Sequence, residues 1–415
     1  MKLLLVSQYF WPESFGINAL ASALHDRGVE VTVLTGQPNY PEGAVFPGYS
    51  AWRVRREDFQ GVEVVRLPLI PRGVRSSLRL TLNYMSFVIT GCVLGPWLLR
   101  RRHFDAVFVY APSPLLQALP AVGLARLKRA PLVVWVQDLW PESLSATGFV
   151  KNTMVLDLVR GLVRFIYRCS DAILVPSEAF RAPIEALTDN PAKIRYYPNA
   201  YVESPLAVAN SVDVASLCVN LSSGFSVVFA GNLGVAQSLE TIIGAAEILQ
   251  DKAVNVRFFL IGSGSQSDWL VEEIERRGLA NVILPGRFPL AAMAAIYEAA
   301  SALLVSLRDE PIFALTIPSK VQGYLAAGKP IIASLNGEGA RIVLEAGAGL
   351  VCRAGDAEGL ANAALMLSRV DADKRGKMGE NGRRYAIEKF SLDRLADGLV
   401  AQLNAMSSAP GEKIQ

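Results

Sequence analysis

Three short segments of this 415-residue chain hold residue types that could do chemistry. Gly231-Asn232-Leu233-Gly234 stands between an apolar run at 226–230 and a helical pattern at 239–249. Glycines let a backbone approach a phosphate, and the helix start that follows favours negative charge. The same residues also suit an ordinary tight turn. Pro318-Ser319-Lys320 precedes a helical run at 321–327. Proline and serine fit the first positions of a helix. A lysine there opposes the helix dipole, and an anion at the helix mouth would supply its missing partner. The third segment, Gln137-Asp138-Leu139-Trp140-Pro141-Glu142, ends an apolar strand at 132–136. Asp138 and Glu142 could hold a hydroxyl acceptor or act as acid and base. Glu142 equally suits a helix start after Pro141. Asp371-Ala372-Asp373 spells a DxD metal pattern, but it opens a helix and reads as a cap. His25 and His103 lack ligand spacing, and no metal site is expected.

These segments need a scaffold that carries loops at strand ends. Apolar strands at 2–7, 29–34, 62–67, 106–110, 132–136 and 172–175 alternate with helical segments. Continuous apolar strands of this kind belong in a parallel sheet covered on both faces. The pattern restarts after a loop-like stretch at 198–224. Strands at 226–230, 256–261, 282–284, 302–306, 331–333 and 349–351 follow, with a helix at 269–277 behind the turn Gly262-Ser263-Gly264. The sequence predicts an α/β fold of two Rossmann-like domains. In such sheets ligands bind at the carboxyl ends of strands. The length fits two domains of about 200 residues each. The tail at 407–415 reads as frayed.

The four cysteines, Cys92, Cys169, Cys218 and Cys352, are scattered and form no CxxC pair, so a reducing compartment is expected. The first residues are too short an apolar run for a signal peptide. The mean hydropathy of +0.30 is high for an enzyme with no membrane contact. Net charge is +3, yet residues 1–205 hold 22 Lys/Arg against 16 Asp/Glu, and the remainder 19 against 22. Residues 80–99 carry no charge and are followed by Arg100-Arg101-Arg102. By length this is a transmembrane candidate. A single span would place strands of one sheet on opposite sides of a bilayer, so an interfacial or buried helix is expected. Arg160, Arg164 and Arg168 recur every four residues in an otherwise apolar helix, as in membrane-surface helices or on a solvated face. Arg72, Arg75 and Arg79 add charge before the apolar stretch.

Taken in order, these loops resemble the GT4 family of retaining glycosyltransferases, and more closely a bacterial branch of L-fucosamine-type transferases of O-antigen and capsule pathways. The resemblance is carried by Ser7-Gln8-Tyr9-Phe10-Trp11-Pro12-Glu13, Thr35-Gly36-Gln37-Pro38-Asn39-Tyr40-Pro41, Gln137 through Ser143, Gly231 through Gly234, and Pro318-Ser319-Lys320 through Pro330. It implies the GT-B fold: an acceptor-binding domain at 1–200, a sugar-nucleotide domain at 201–388 facing it across a cleft, and a C-terminal helix at 389–415 returning to the first domain. It implies a UDP-sugar donor, no cofactor or metal, and retention by front-face attack. The implied acceptor is a polyprenyl-diphosphate-linked sugar at the inner face of the cytoplasmic membrane. An anionic membrane surface is then a partner and nucleic acid is not.

Several positions depart from the family pattern. Its diphosphate-binding Arg and Lys fall on Asn232 and Gln237. Its paired glutamates fall on Leu315 and Gly323, and its histidine on Gln137. The resemblance therefore places the donor diphosphate on Gly231, Asn232, Gly234, Gln237, Ser319 and Lys320, with Glu310 as the sugar-holding carboxylate. Gly16, Asn18, Gln137, Asp138 and Glu142 would face the acceptor. Lys320, Glu310 and Asp138 are the expected catalytic groups. A UDP-sugar epimerase and a catalytically degenerate scaffold are the rival readings. A dehydrogenase is disfavoured, because no GxGxxG follows the first strand.

Overall fold

The computed structural model describes residues 1–73, 76–146, 152–201 and 212–408. The chain divides into two compact units, Met1–Ala200 with Leu392–Gln415, and Tyr201–Ser391. Arg75 and the end of the tail lie outside the described residues.

The first unit is built on eight strands: β1 (Lys2–Val6), β2 (Glu30–Gly36), β3 (Arg55–Phe59), β4 (Val62–Leu67), β5 (Ala106–Ala111), β6 (Leu132–Val136), β7 (Ala172–Val175) and β8 (Ile194–Tyr196). Their order in the sheet is β3-β4-β2-β1-β5-β6-β7-β8, parallel throughout except for β3. The covering helices are α1 (Gly16–Asp26), α2 (Ser77–Leu98), α3 (Leu119–Lys128), α4 (Glu142–Ala146), α5 (Thr153–Cys169) and α6 (Arg181–Glu185). Every residue of β5, β6 and β7 is buried, which explains their unbroken apolar sequence.

Two of these strands were not expected from the sequence. β3 reads Arg-Arg-Glu-Asp-Phe and has no apolar face to signal it. It is a charged edge strand, joined to β4 by a two-residue turn, Gln60-Gly61, with φ of 52° and 82°. Glu57 on β3 supplies the carboxylate for Arg66 on β4, whose buried guanidinium also donates to the carbonyls of Gly36 and Trp11. β8 is only three residues long.

The second unit has one six-stranded, wholly parallel sheet, ordered β11-β10-β9-β12-β13-β14. The strands are β9 (Phe225–Asn232), β10 (Val256–Ser263), β11 (Val282–Gly286), β12 (Ala302–Ser306), β13 (Ile331–Ser334) and β14 (Gly349–Cys352). Its helices are α7 (Val212–Ser222), α8 (Leu239–Asp251), α9 (Ser267–Arg277), α10 (Met293–Ala299), α11 (Pro311–Ala314), α12 (Ser319–Ala327), α13 (Glu338–Glu345), α14 (Ala357–Arg369) and α15 (Ala372–Phe390). Helix α7 corrects the expectation of a loop over 198–224. Val214, Leu217 and Leu221 recur at helical spacing and are buried, although β-branched residues and asparagine disguise the helix. Both sheets follow the doubly wound order, with reversal points between β1 and β5 and between β9 and β12.

The last helix, α16 (Leu392–Ser408), belongs to the first unit. Leu395, Ala396, Leu399 and Leu403 enter the same core as Ile17, Leu20 and Leu24 of α1. Arg27 binds Asp393 and Asp397 at 2.8 and 2.5 Å, and the Tyr197 hydroxyl donates to the Leu395 carbonyl at 2.9 Å. Two parallel Rossmann-like sheets with a final helix returned to the first are the GT-B architecture that the family resemblance implied.

Helix α2 is long and apolar enough to cross a membrane by length and composition. Its flanking strands β4 and β5 sit in one sheet, so both helix ends must lie on the same side. Asn83, Phe87, Val88, Gly91 and Gly95 face inward. A methyl group on Gly91 would stand 2.6 Å from Pro120 of α3, so the glycine sets how closely the two helices pack. The opposite face is exposed: Leu78, Leu82, Met85, Ile89, Val93 and Trp97 form a stripe at spacings of three and four residues.

Candidate functional site

The second unit builds its site at the carboxyl end of β9, beside the reversal point. Gly231 and Gly262 are neighbours in the β9–β10 register, with φ of +138° and +140°. A Cβ on Gly262 would lie 1.8 Å from the Gly231 carbonyl oxygen, and one on Gly264 2.2 Å from that of Leu233. Without side chains the two strand ends close together, and the space above β9 is left for Lys320.

Lys320 reaches into that space from the first turn of α12. Its ammonium lies 4.3 Å from the ring centre of Phe229. A Cβ on Gly231 would come within 2.7 Å of its Cε and 3.0 Å of its Nζ. The glycine is therefore required for the lysine to lie where it does. No carboxylate pairs with Lys320 among the described residues. Burial lowers its pKa from 10.5 to about 8. The amine sits desolvated at a helix start whose dipole also disfavours it, with only an aromatic face for compensation. A bound diphosphate would supply the missing counter-charge.

This arrangement has a pH signature. The folded pKa lies below the unfolded one, so the unfolded chain holds more protons between about pH 8 and 10.5. The burial cost is fully present below that window and falls away as pH rises through it. Binding of a diphosphate should restore the proton. Titrating UDP in buffers of different ionisation heat should then show uptake of roughly 0.7 proton at pH 8.5 and about 0.1 at pH 7, with affinity falling above pH 8. Enthalpies independent of buffer at pH 8.5 would contradict this placement.

The other expected donor residues fall as follows. The Gly234 amide donates to Gln237 Oε1 at 3.2 Å, so Gln237 closes its own loop. The Asn232 amide wedges between Gly234 and Gly264, where added Cβ atoms would lie 2.6 and 2.7 Å from it. Ser319 is exposed at the first position of α12, after Pro318. Glu310 is exposed at the start of α11 and makes no side-chain cap. Its neighbours are occupied: Arg308 pairs with Glu240 at 3.2 Å, and Asp309 accepts from Asn336 at 2.7 Å. Asp371 stands at the cap position of α15 but makes no capping hydrogen bond, and its carboxylate pairs with Lys374 instead.

In the first unit, Asp138 follows β6 and is half-buried. Its Oδ2 accepts from Ser143 Oγ at 3.1 Å and from Trp140 Nε1 at 3.3 Å. Burial raises its pKa despite these bonds. The adjacent Gln137 has a buried Nε2 with no hydrogen-bond partner. Glu142 begins α4 and is exposed. Gly16 opens α1, but a Cβ there would meet nothing within 4 Å, so no close approach requires a glycine. Asn18 is turned inward: it accepts from the Trp11 amide and donates to the Glu13 carbonyl, at 3.0 and 2.7 Å.

Sequence reasoning missed Glu13 as a site-shaping residue. It is buried, and its two oxygens accept from the amides of Phe10, Asn39 and Tyr40 at 3.2, 2.8 and 2.8 Å. Burial raises its pKa to about 7. It ties the loop after β1 to the loop after β2. The available signal was an acidic residue inside the Ser7–Glu13 loop with no basic neighbour in sequence.

Comparison with known proteins finds family matches in both units. Residues 16–200 match the model of a glycosyl transferase 4-like domain, and residues 224–369 that of glycosyl transferases group 1. Together they cover most of the chain. The chain belongs to the GT4, group 1 glycosyltransferases, and it is a retaining glycosyltransferase with the GT-B fold. It is 29% identical to "Probable glycosyltransferase WbjE" of Pseudomonas aeruginosa, over 68% of this chain and 71% of that one. It is 26% identical to "Putative colanic acid biosynthesis glycosyl transferase WcaI" of Escherichia coli K12, over 79% and 82%. Among solved structures it is similar to HepE of Anabaena in complex with UDP-glucose, with a TM-score of 0.65, 17% identity, and 98% and 100% of the two chains covered.

Proposed function

We propose that the enzyme transfers an N-acetylated hexosamine or deoxyhexosamine, of L-fucosamine type, from a UDP-sugar to a polyprenyl-diphosphate-linked sugar at the inner face of the cytoplasmic membrane. The observation that carries the donor half is Lys320, a half-buried cation above Gly231 with no carboxylate partner among the described residues. The UDP-glucose complex of HepE supports a UDP-linked donor. Lys320 would neutralise charge on the leaving diphosphate. Glu310 would hold the donor sugar, and Asp138 the acceptor hydroxyl. The bond from C1 to the diphosphate oxygen breaks as the acceptor oxygen bonds C1 on the same face. The hydroxyl proton passes to the departing phosphate oxygen. No protein nucleophile is needed for retention by this route.

The membrane half rests on the first unit. Leu78, Ile89, Val93 and Trp97 on α2 are 57 to 70% exposed, and Met154 and Leu158 on α5 are 80 and 67% exposed. Apolar rows of this size beside Arg100 and Arg101 suit an anionic lipid surface. The basic stripe on α5 is weaker than its sequence implied: Arg160 pairs with Asp157, and Arg168 pairs with Asp189. The α2 stripe is therefore the main contact. Ile89→Asp with Val93→Asp should reduce sedimentation with phosphatidylglycerol vesicles by about tenfold, since two exposed apolar side chains that would enter the lipid become charges. Unchanged sedimentation would rule out α2.

The functional test is product analysis. Incubation with UDP-N-acetylhexosamines and an isoprenoid-lipid extract should give a lipid-extractable glycoside with the donor's anomeric configuration. An epimerised or free sugar formed equally without lipid would favour epimerase chemistry instead.

A further inference from the structure

The loop after β4 in the first unit holds an arginine that no acidic side chain pairs with among the described residues. Arg72 follows β4. Its guanidinium lies over the Tyr40 ring, 4.9 Å from the centre, and its amide donates to Asn39 Oδ1 at 3.1 Å. That position is fixed from beneath by buried amides. Asn83 on α2 donates to the Ile70 carbonyl at 2.7 Å and to Asn39 at 3.3 Å. Gln8, after β1, donates to Asn83 Oδ1 at 2.7 Å. Glu13, which holds the amides of Asn39 and Tyr40 beside it, is saturated by three backbone amides.

Two phenols complete the cluster. Tyr9 is 3% exposed, stacks on Phe15 at 5.2 Å between ring centres and leans on Tyr40 at 5.7 Å. Its buried hydroxyl makes no hydrogen bond of full geometry and faces the Tyr84 phenol. Tyr84, one helical position beyond Asn83, is its neighbour. Burial raises the pKa of both phenols while the charge of Arg72 opposes the rise, and Asp138 also acts on Tyr84. Arg72, Tyr9, Tyr84 and Asp138 thus share one neighbourhood at the carboxyl end of the sheet.

A guanidinium with no carboxylate partner among the described residues, next to a pair of buried phenols with no well-formed hydrogen bond for Tyr9, is a combination that phosphate oxygens satisfy. We propose that Arg72 and the Tyr9 hydroxyl bind a phosphate of the acceptor, with Tyr84 closing the site beside Asp138. This rests on the lipid-diphosphate acceptor proposed above and names the group that reads it. Helix α2 begins five residues after Arg72, and its exposed apolar stripe starts at Leu78. An isoprenoid chain leaving the phosphate would meet that stripe directly.

The test uses farnesyl diphosphate and inorganic pyrophosphate as probes, with UDP titrated in parallel on the same full-length protein. Farnesyl diphosphate should bind the wild type. Arg72→Gln should weaken it at least about tenfold and Tyr9→Phe about fivefold, as expected when a charged or a neutral donor to phosphate is lost. Arg72→Lys should recover part of the loss. UDP affinity should not move in any of the three. Tyr9→Phe keeps the ring packing, so its effect reads the hydroxyl alone. Farnesyl diphosphate binding more tightly than pyrophosphate would support the site with a lipid-borne ligand. Equal binding, still dependent on Arg72, would support it with the phosphate alone as ligand. Binding unaffected by Arg72→Gln, or abolished by Lys320→Ala, would overturn it. So would UDP binding with no farnesyl diphosphate binding, which would leave the transferase reading standing. Failure of UDP itself would instead strike that reading.

Discussion

Lys320→Met is expected to lower kcat/KM for sugar transfer by about 10²- to 10³-fold, the usual cost of losing one preorganised group that stabilises a leaving anion. The methionine keeps an unbranched apolar stem over Phe229 and removes only the charge. The thermal midpoint should stay level or rise, because a desolvated ammonium with no carboxylate partner among the described residues is a burden on the fold. Those two outcomes together separate a functional cation from a structural one. A fall in midpoint with activity intact would reverse the assignment. Lys320→Ala should match it in activity but lose packing against the ring.

The second large effect belongs to Gly262→Ala. Its φ of +140° is closed to residues with a Cβ, and the added methyl would sit 1.8 Å from the Gly231 carbonyl oxygen. The obstruction is backbone, so no side chain can swing aside. Urea unfolding of the second unit should lose at least about 3 kcal/mol, and UDP binding should weaken with it, because Gly231 must move to relieve the clash. Gly16→Ala is the matched control. A Cβ there meets nothing within 4 Å, so stability should hold or improve by about 0.5 kcal/mol. Equal losses at the two positions would mean that the strand-end closure does not hold the donor loop.

Much of this was legible in the sequence for physical reasons. Fully buried parallel strands must be apolar throughout, so β5, β6 and β7 announce themselves. A lysine at a helix start is a one-dimensional signal of a missing anion, and Lys320 carried it. β3 was hidden because an edge strand facing solvent can be written Arg-Arg-Glu-Asp. α7 was hidden by residues that favour loops and strands. At the site, asparagine, glutamine and glycine change role with a neighbour's position. Asn18 and Gln237 turned out to bond their own loops, and Gly16 to need no special backbone. The cluster of Arg72, Tyr9 and Tyr84 draws on two loops and helix α2, and no spacing in the sequence brings them together.

The most direct test of the central claim is a calorimetric titration of the purified enzyme with UDP, dTDP, GDP and NAD, with no metal added, repeated on Lys320→Ala. The proposed donor site predicts selective binding of UDP that the substitution abolishes. Binding of NAD, binding of no nucleotide, or UDP affinity that survives the loss of Lys320 would contradict the donor site described for this fold.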